Sequence, residues 1–252
     1  MIARRTAAEL DKLRRAGLVV AEVLDAVAAL VRPGVSTWEL EEAAAQAIGD
    51  QHATSAFRGY HGYPCVLCVS VNDQVIHGIP SRKRVLAQGD LVSLDCGVVL
   101  EGYYADHAIT LTVGEEQQFP EPVRKLVQAT RKALAEGIAQ AQPGRRLGDI
   151  SAAVQQCAQA EGLSVVREFV GHGIGTHLHE DPQVPNLGQQ GTGPKLRPGM
   201  VFAIEPMFNL GGPEVRVLQD GWTAVTADGS PSAHFEHTVA VTENGPWVLT
   251  RP

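Results

Sequence analysis

Shifting the second half of this 252-residue chain back by 110 positions lays it on the first half. Pro143-Gly144 falls on Pro33-Gly34, Ile150 on Leu40, Leu196 on Leu86 and Gly199 on Gly89. At the same shift the segment MVFAIE, ending at Glu205, lies on DLVSLD, ending at Asp95, so two strand-like segments each close on an acid. A second acid follows in each half: Asp106 opens DHAITLTVG and Glu236 opens EHTVAVTENG, with the shift grown to 130 because the second half carries about 20 extra residues. A Pro-Gly pair alone would signal only a turn after a helix. The ordered recurrence of helix, Pro-Gly, helix, acid-ended strand and acid-bearing strand predicts two similar α/β halves facing each other across a pseudo-twofold axis. Their four acids would converge on the cleft between them.

The length and an apolar content of 44% allow a sizeable core. No Ser/Gly or charge-rich linker separates the halves, since GEEQQFPEP at 114–122 reads as a short loop before a helix. One catalytic domain spanning 1–252 is expected, with pseudo-repeats at about 10–113 and 120–245. The N-terminal stretch mixes charges with Leu, Val and Ala at helical spacing and offers neither a signal core nor a membrane span. Cys65, Cys68, Cys96 and Cys157 are too few for a disulfide framework in so large a chain, which points to the reducing cytoplasm. A net charge of −7 argues against a general nucleic-acid grip. Four carboxylates crowded into a cleft would repel one another strongly unless cations neutralise them.

Helices are predicted over 7–31, 37–49, 121–141 and 146–161, the second opened by Ser36-Thr37 with Glu39 and Glu41 in its first turn. Strands are predicted over 65–71, 91–99, 109–113, 201–208, 214–218 and 238–241. Leu100-Glu101-Gly102-Tyr103 reads as a hairpin turn, which would make Asp95 and Asp106 cross-strand neighbours able to share an ion.

His172 joins Asp95, Asp106, Glu205 and Glu236 as a candidate ligand. Oxygen-rich ligation with one imidazole suits divalent Mn, Fe or Co better than the thiolate sets of structural zinc. Four carboxylates carry charge enough for two such ions, which could hold a bridging hydroxide, polarise a carbonyl and stabilise the resulting oxyanion. The reaction class is hydrolysis of an amide or ester bond.

At these residues the chain resembles type I methionine aminopeptidases of the bacterial short form. The resemblance runs from the first helix to the last strand, through YHGYP at 60–64, SVNDQVIHGIP at 70–80, GHGIGTHLHEDP at 171–182, FAIEPM at 202–207, DGWT at 220–223 and FEHTVAVT at 235–242. It implies the pita-bread fold, an α/β (α+β) arrangement of two pseudo-symmetric halves with an antiparallel sheet covered by helices. It further implies two divalent ions (Fe(II), Mn or Co), with Asp95 on one, Asp106 and Glu236 bridging, and His172 and Glu205 completing the second. Glu205 would also shuttle a proton, and His77 and His179 would contact substrate and the tetrahedral intermediate. The methionine side chain would lie among Tyr60, Tyr63, Cys68 and Trp222, with Phe57 and Leu178 as neighbours, since aromatic faces suit a thioether. The implied activity is removal of the initiator methionine from nascent proteins with a small second residue. The partners are then nascent N-termini, met in transient contact with the ribosome by a monomer that needs neither a membrane nor a specific nucleic acid. His107, which follows a ligand, departs from the smaller residue usual there and should act on its surroundings rather than abolish activity.

Singly, each of these residues has a blander reading. An isolated Asp is more often a turn cap, but a carboxylate in the apolar run LVSLDCGVVL is costly to bury without a partner. His77 and His179 alone would be ordinary loop histidines, and His61 and His237 read as structural or as outer neighbours of the ligands. CVLC at 65–68 has CxxC spacing, but residues three apart on a strand point to opposite faces, so Cys68 fits pocket lining better than redox or zinc chemistry. GHGIG lacks the Lys-Ser/Thr of a phosphate loop. Two alternatives stay open: an Xaa-Pro peptidase or creatinase relative on the same fold, and a non-catalytic binding protein.

Overall fold

The computed structural model describes residues 2–251. Each half opens with a pair of helices whose starts are written in local sequence. In α1 (Ala7–Ala28) the Thr6 hydroxyl accepts the Glu9 N–H while the Glu9 carboxylate accepts the Thr6 N–H, satisfying two otherwise free donors. Ser36 and Glu39 repeat this reciprocal cap at α2 (Thr37–Asp50). Glu41, expected as a first-turn acid, is instead buried at 2% exposure, where its carboxylate accepts the Val66 and Leu67 N–H groups and pairs with Arg58. In the second half α3 (Glu121–Gln140) carries Pro122 in its first turn, where no intrahelical N–H is required. At the start of α4 (Leu147–Glu161), Asp149 accepts the Arg146 N–H at 2.8 Å and the Gly191 N–H at 2.7 Å, holding the helix start and a distant loop together.

The 110-residue shift reappears in the backbone hydrogen bonds. Gly34 donates to Leu86 as Gly144 does to Leu196, Thr37 to Arg84 as Leu147 to Pro194, and Leu86 to Val35 as Leu196 to Arg145. Each Pro-Gly turn therefore docks against the strand-entry segment of its own half.

The strands of both halves join in one antiparallel nine-stranded sheet, in the order Thr54–Ser55, Leu91–Leu100, Tyr103–Thr112, Glu236–Thr242, Val201–Ile204, Gly171–Gly173 and Glu180–Val184. Leu67–Val71 pairs with Leu91–Leu100, and Gly245–Val248 with Glu236–Thr242. The first core packs α1 and α2 onto the sheet through Leu24, Leu40, Leu67 and Leu94; the second packs α3 and α4 through Leu126, Ile150, Phe202 and Phe208. Alternation along each strand leaves the opposite sheet face free to line a cleft.

Three departures from the expected elements have local causes. Glu101 and Gly102 both take positive φ, 51° and 80°, the geometry of a two-residue turn that matches strand twist, so pairing begins at Tyr103 rather than at 109. The predicted strand 201–208 breaks at Glu205-Pro206 into Val201–Ile204 and Met207–Asn209, since Pro has no N–H for a ladder. Gly171–Gly173 and Glu180–Val184 were not expected as strands. A Cβ at 171 would lie 2.4 Å from the Ala203 carbonyl oxygen and one at 173 would lie 2.3 Å from that of Asp181, so glycine lets this strand sit between two close neighbours.

Candidate metal centre

Strand register sorts the five candidate ligands into two adjacent rows on the free face of the sheet. Cys68 pairs with Asp95, Asp95 with Ala108, and Ala108 with Glu236. The pairings of Ile204 with His237 and of Met207 with His234 share one register, which sets Glu205 opposite Glu236. In the next row Gly97 pairs with Asp106, and Thr238 and His172 each pair with Ala203. Thr238 ties Asp106 into this row, accepting its N–H at 2.9 Å and donating to its carbonyl at 2.8 Å. Ala108, Gly97 and Ala203 are small, so the ligand side chains have room to converge. Asp95 and Asp106 are consequently diagonal rather than directly opposite, a separation that side chains still span.

Ligand atoms of Asp106, His172 and Glu236 come within 4.8 Å of one another, all three residues being buried. Asp95 and Glu205 complete the same wall, with His172 Nε2 at 3.6 Å from Glu205 Oε1. Asp95 Oδ1 and Glu236 Oε1 are fully buried and lack a hydrogen-bond partner. Burial pushes the Asp95 carboxyl up to about 7. The carboxyls of Asp106, Glu205 and Glu236 are driven well above the usual range, by burial first and by their acidic neighbours second. Burial also pushes His172 down to about 3, which leaves the neutral imidazole that a metal requires. Orphaned oxygens, crowded acids and one neutral imidazole make a donor set for hard or borderline divalent cations.

The remaining expected site residues line the same cleft of about 360 Å³: Phe57, Tyr60, Tyr63, Cys68, His77, Leu178, His179 and Trp222. Tyr63 meets Trp222 edge-on at 5.1 Å and Phe57 at 6.4 Å, and its hydroxyl donates toward the Leu67 and Gly78 carbonyls at 3.0 and 3.2 Å. Gly78 belongs in this corner because a Cβ there would lie 2.2 Å from the Val69 carbonyl oxygen. Its neighbour His77 takes a φ of 58°, a conformation costly outside glycine and held here by packing on Phe169 and Trp222. His179 stacks on Tyr60, and its Nδ1 lies 2.8 Å from the Tyr60 hydroxyl. Burial lowers the pKa of both His77, to about 4, and His179.

Burial raises the Cys68 thiol well above its normal value and Cys65 to about 11, so neither is the thiolate that redox or zinc chemistry would need. His107 and His237 lie on the helix-facing side of the sheet, stacked at 4.4 Å, and His107 Nδ1 contacts the Glu236 carbonyl.

Two histidines at the site were not singled out from sequence for a role there. His61 lines the cleft beside Tyr60, its ring 4.4 Å away. His234 is buried behind Glu205, with Nε2 3.8 Å from Glu205 Oε2 and its pKa pushed by burial to about 3. The sequence offers one signal for His234, its place two residues before Glu236, although it ends the strand Ser232–His234 and Glu236 opens the next.

The sequence model of metallopeptidase family M24 matches residues 11–243. A methionine aminopeptidase of Clostridium perfringens is 50% identical over 250 residues, with 99% of each chain covered. The crystal structure of a methionine aminopeptidase from Thermotoga maritima superposes with a TM-score of 0.97 at 46% identity, covering 100% of both chains. An Xaa-Pro dipeptidase from Bacillus anthracis shares the fold, with a TM-score of 0.78 at 24% identity, but only 62% of its chain is covered.

Proposed function

Because the chain belongs to metallopeptidase family M24, we propose that it is a metal-dependent aminopeptidase that releases the N-terminal methionine of nascent polypeptides whose second residue is small. The observation that carries this reading is that five candidate metal donors stand on two adjacent strand rows, in the wall of a cleft otherwise lined by aromatic, apolar and imidazole side chains. Asp95, Asp106, His172, Glu205 and Glu236 would hold two divalent ions, with Fe(II), Mn and Co all suited to this donor set. When bound, such ions polarise a scissile carbonyl and lower the pKa of a water molecule toward neutrality.

The protein's own part is positioning and proton handling. Phe57, Tyr60, Tyr63, Cys68, Leu178 and Trp222 offer the thioether a dry, polarizable pocket. Filling it holds the first peptide bond against the donor wall, which converts binding energy into orientation. His179, fixed by Tyr60, and His77, fixed by Phe169 and Trp222, are neutral and can donate to a developing oxyanion. The buried Glu205 carboxyl holds a proton readily and can pass it to the leaving amine. In this reading residues 1–252 are one catalytic domain, acting as a cytoplasmic monomer with transient access to the ribosome. No helix among the described residues is long and apolar enough to cross a membrane.

The test is release of free methionine from Met-Ala-Ser by chelator-stripped protein with Mn, Fe(II), Co or Zn restored separately. Metal-dependent release from Met-Ala-Ser and none from Met-Lys-Ser is the expected result. Turnover of Xaa-Pro peptides alone would transfer the chain to the dipeptidase activity of its longer fold relatives, and no turnover of any peptide would leave only a binding role.

A further inference from the structure

Glu205 sits between two imidazoles. His172 Nε2 lies 3.6 Å from its Oε1, and His234 Nε2 lies 3.8 Å from its Oε2. His172 borders the cleft, whereas His234 lies outside the cleft wall, behind the carboxylate. The His234 side chain is 2% exposed, and its Nε2 is fully buried with no hydrogen-bond partner. Leaving a polar atom unpartnered at such depth is costly, so the position of this nitrogen calls for a use.

The backbone holds the ring in place from both sides. The His234 N–H donates to Thr110 Oγ1 at 2.9 Å, the Thr110 hydroxyl donates to the His234 carbonyl at 2.6 Å, and Ser93 Oγ contacts the same hydroxyl at 2.8 Å. His234 pairs with Met207, two residues along from Glu205, so the two side chains are diagonal neighbours on one face. Asn186 holds the Glu205 main-chain carbonyl at 3.0 Å but not its carboxylate.

We propose that His234 is a positioning residue for the metal centre: its Nε2–H, 3.8 Å from Glu205 Oε2 here, closes to hydrogen-bond distance when the site is loaded, fixing Oε2 and leaving Oε1 turned toward His172. The proposal rests on the metal-centre reading above. A buried neutral imidazole carries one N–H, and placing it on Nε2 gives both partners what they lack: a donor for the carboxylate and an acceptor for the ring. Outer hydrogen bonds to ligating carboxylates tune metal affinity, and their removal typically costs about 10–100-fold.

The experiment titrates the metal-stripped full chain with Co(II), followed by calorimetry and by the visible d–d absorption, for the wild type, His234→Leu and His234→Gln. His234→Leu should weaken uptake of one of the two ions about 10–100-fold and alter its d–d band. His234→Gln keeps an N–H donor and should stay within about threefold of the wild type. Equal affinity and spectrum in His234→Leu would overturn the proposal, as would a His234→Gln protein as weak as His234→Leu. A wild type that takes up no Co(II) would overturn the metal centre itself. Should the variants not fold, histidine-¹⁵N spectra of the Zn(II)-loaded wild type decide the matter: an Nε2–H tautomer at His234 supports the proposal, and an Nδ1–H tautomer or a metal-bound Nε2 refutes it.

Discussion

Loading the metal-free protein with divalent cations at pH 7 should expel protons, more than one per chain, because ligands bind metal only when deprotonated and burial favours the protonated form of this donor wall when it is empty. Burial and mutual repulsion hold the carboxyls of Asp106, Glu205 and Glu236 well above their ordinary range, so the empty wall keeps protons that a metal must displace. Asp95, raised to about 7, is half protonated, and His172, lowered to about 3, is already neutral and contributes none. Calorimetric titration with Mn(II) in buffers of differing ionisation enthalpy reads the proton count as the slope of the observed heat. More protons should appear at pH 6, where Asp95 is more fully protonated. The same shifts set the stability of the metal-free protein. A carboxyl with a raised folded pKa stabilises fully below its unfolded value and loses that contribution as pH rises through the folded one, so for Asp95 the loss falls between about pH 4 and pH 7. The chelated protein should therefore melt at progressively lower temperature across that window, and added metal should restore the loss. A heat slope below about one proton would refute the reasoning, since it would mean that the acids are already ionised and hydrated in the empty cleft.

Two further outcomes follow from the geometry. Gly78→Ala would press a Cβ to 2.2 Å from the Val69 carbonyl oxygen and displace the His77 corner; it should lower stability by about 1–3 kcal/mol in denaturant unfolding and raise KM for Met-Ala-Ser, and an unchanged midpoint would show that the corner is slack. Glu236→Gln keeps the shape of a residue that faces both Glu205 and Ala108 but removes its acid; kcat should fall at least about 10³-fold with saturating Mn(II), while the melting curve of the chelated protein holds or rises because a buried titratable acid gives way to a neutral amide. Wild-type turnover in that variant would remove Glu236 from the centre.

The parts of this protein that are legible in its sequence are local or internally repeated. Thr6 with Glu9 and Ser36 with Glu39 mark helix starts because a cap needs only residues three apart. The Pro-Gly turns and acid-ended strands are recognisable because they occur twice, and the 110-residue shift that aligns them also aligns their hydrogen bonds. The short strands around His172 were missed because their glycines answer to neighbours at Ala203 and Asp181 rather than to strand propensity. Asp95 and Asp106 read as cross-strand neighbours because a turn is visible between them, and the register of the hairpin makes them diagonal neighbours, two residues out of alignment. His234 was passed over because its role depends on an acid 29 positions earlier in the chain that reaches it only across the break between the nine-stranded sheet and a three-stranded one formed by Ser232–His234, Met207–Asn209 and Ser164–Val165. Residue identity and local pattern were enough to say which side chains could bind metal and which segments would carry them. Tertiary structure alone decided that Ala108 would stand between Asp95 and Glu236 and that Glu205 would fall between His172 and His234. Register between strands more than a hundred residues apart is set by the packing of two cores, and no local preference encodes it.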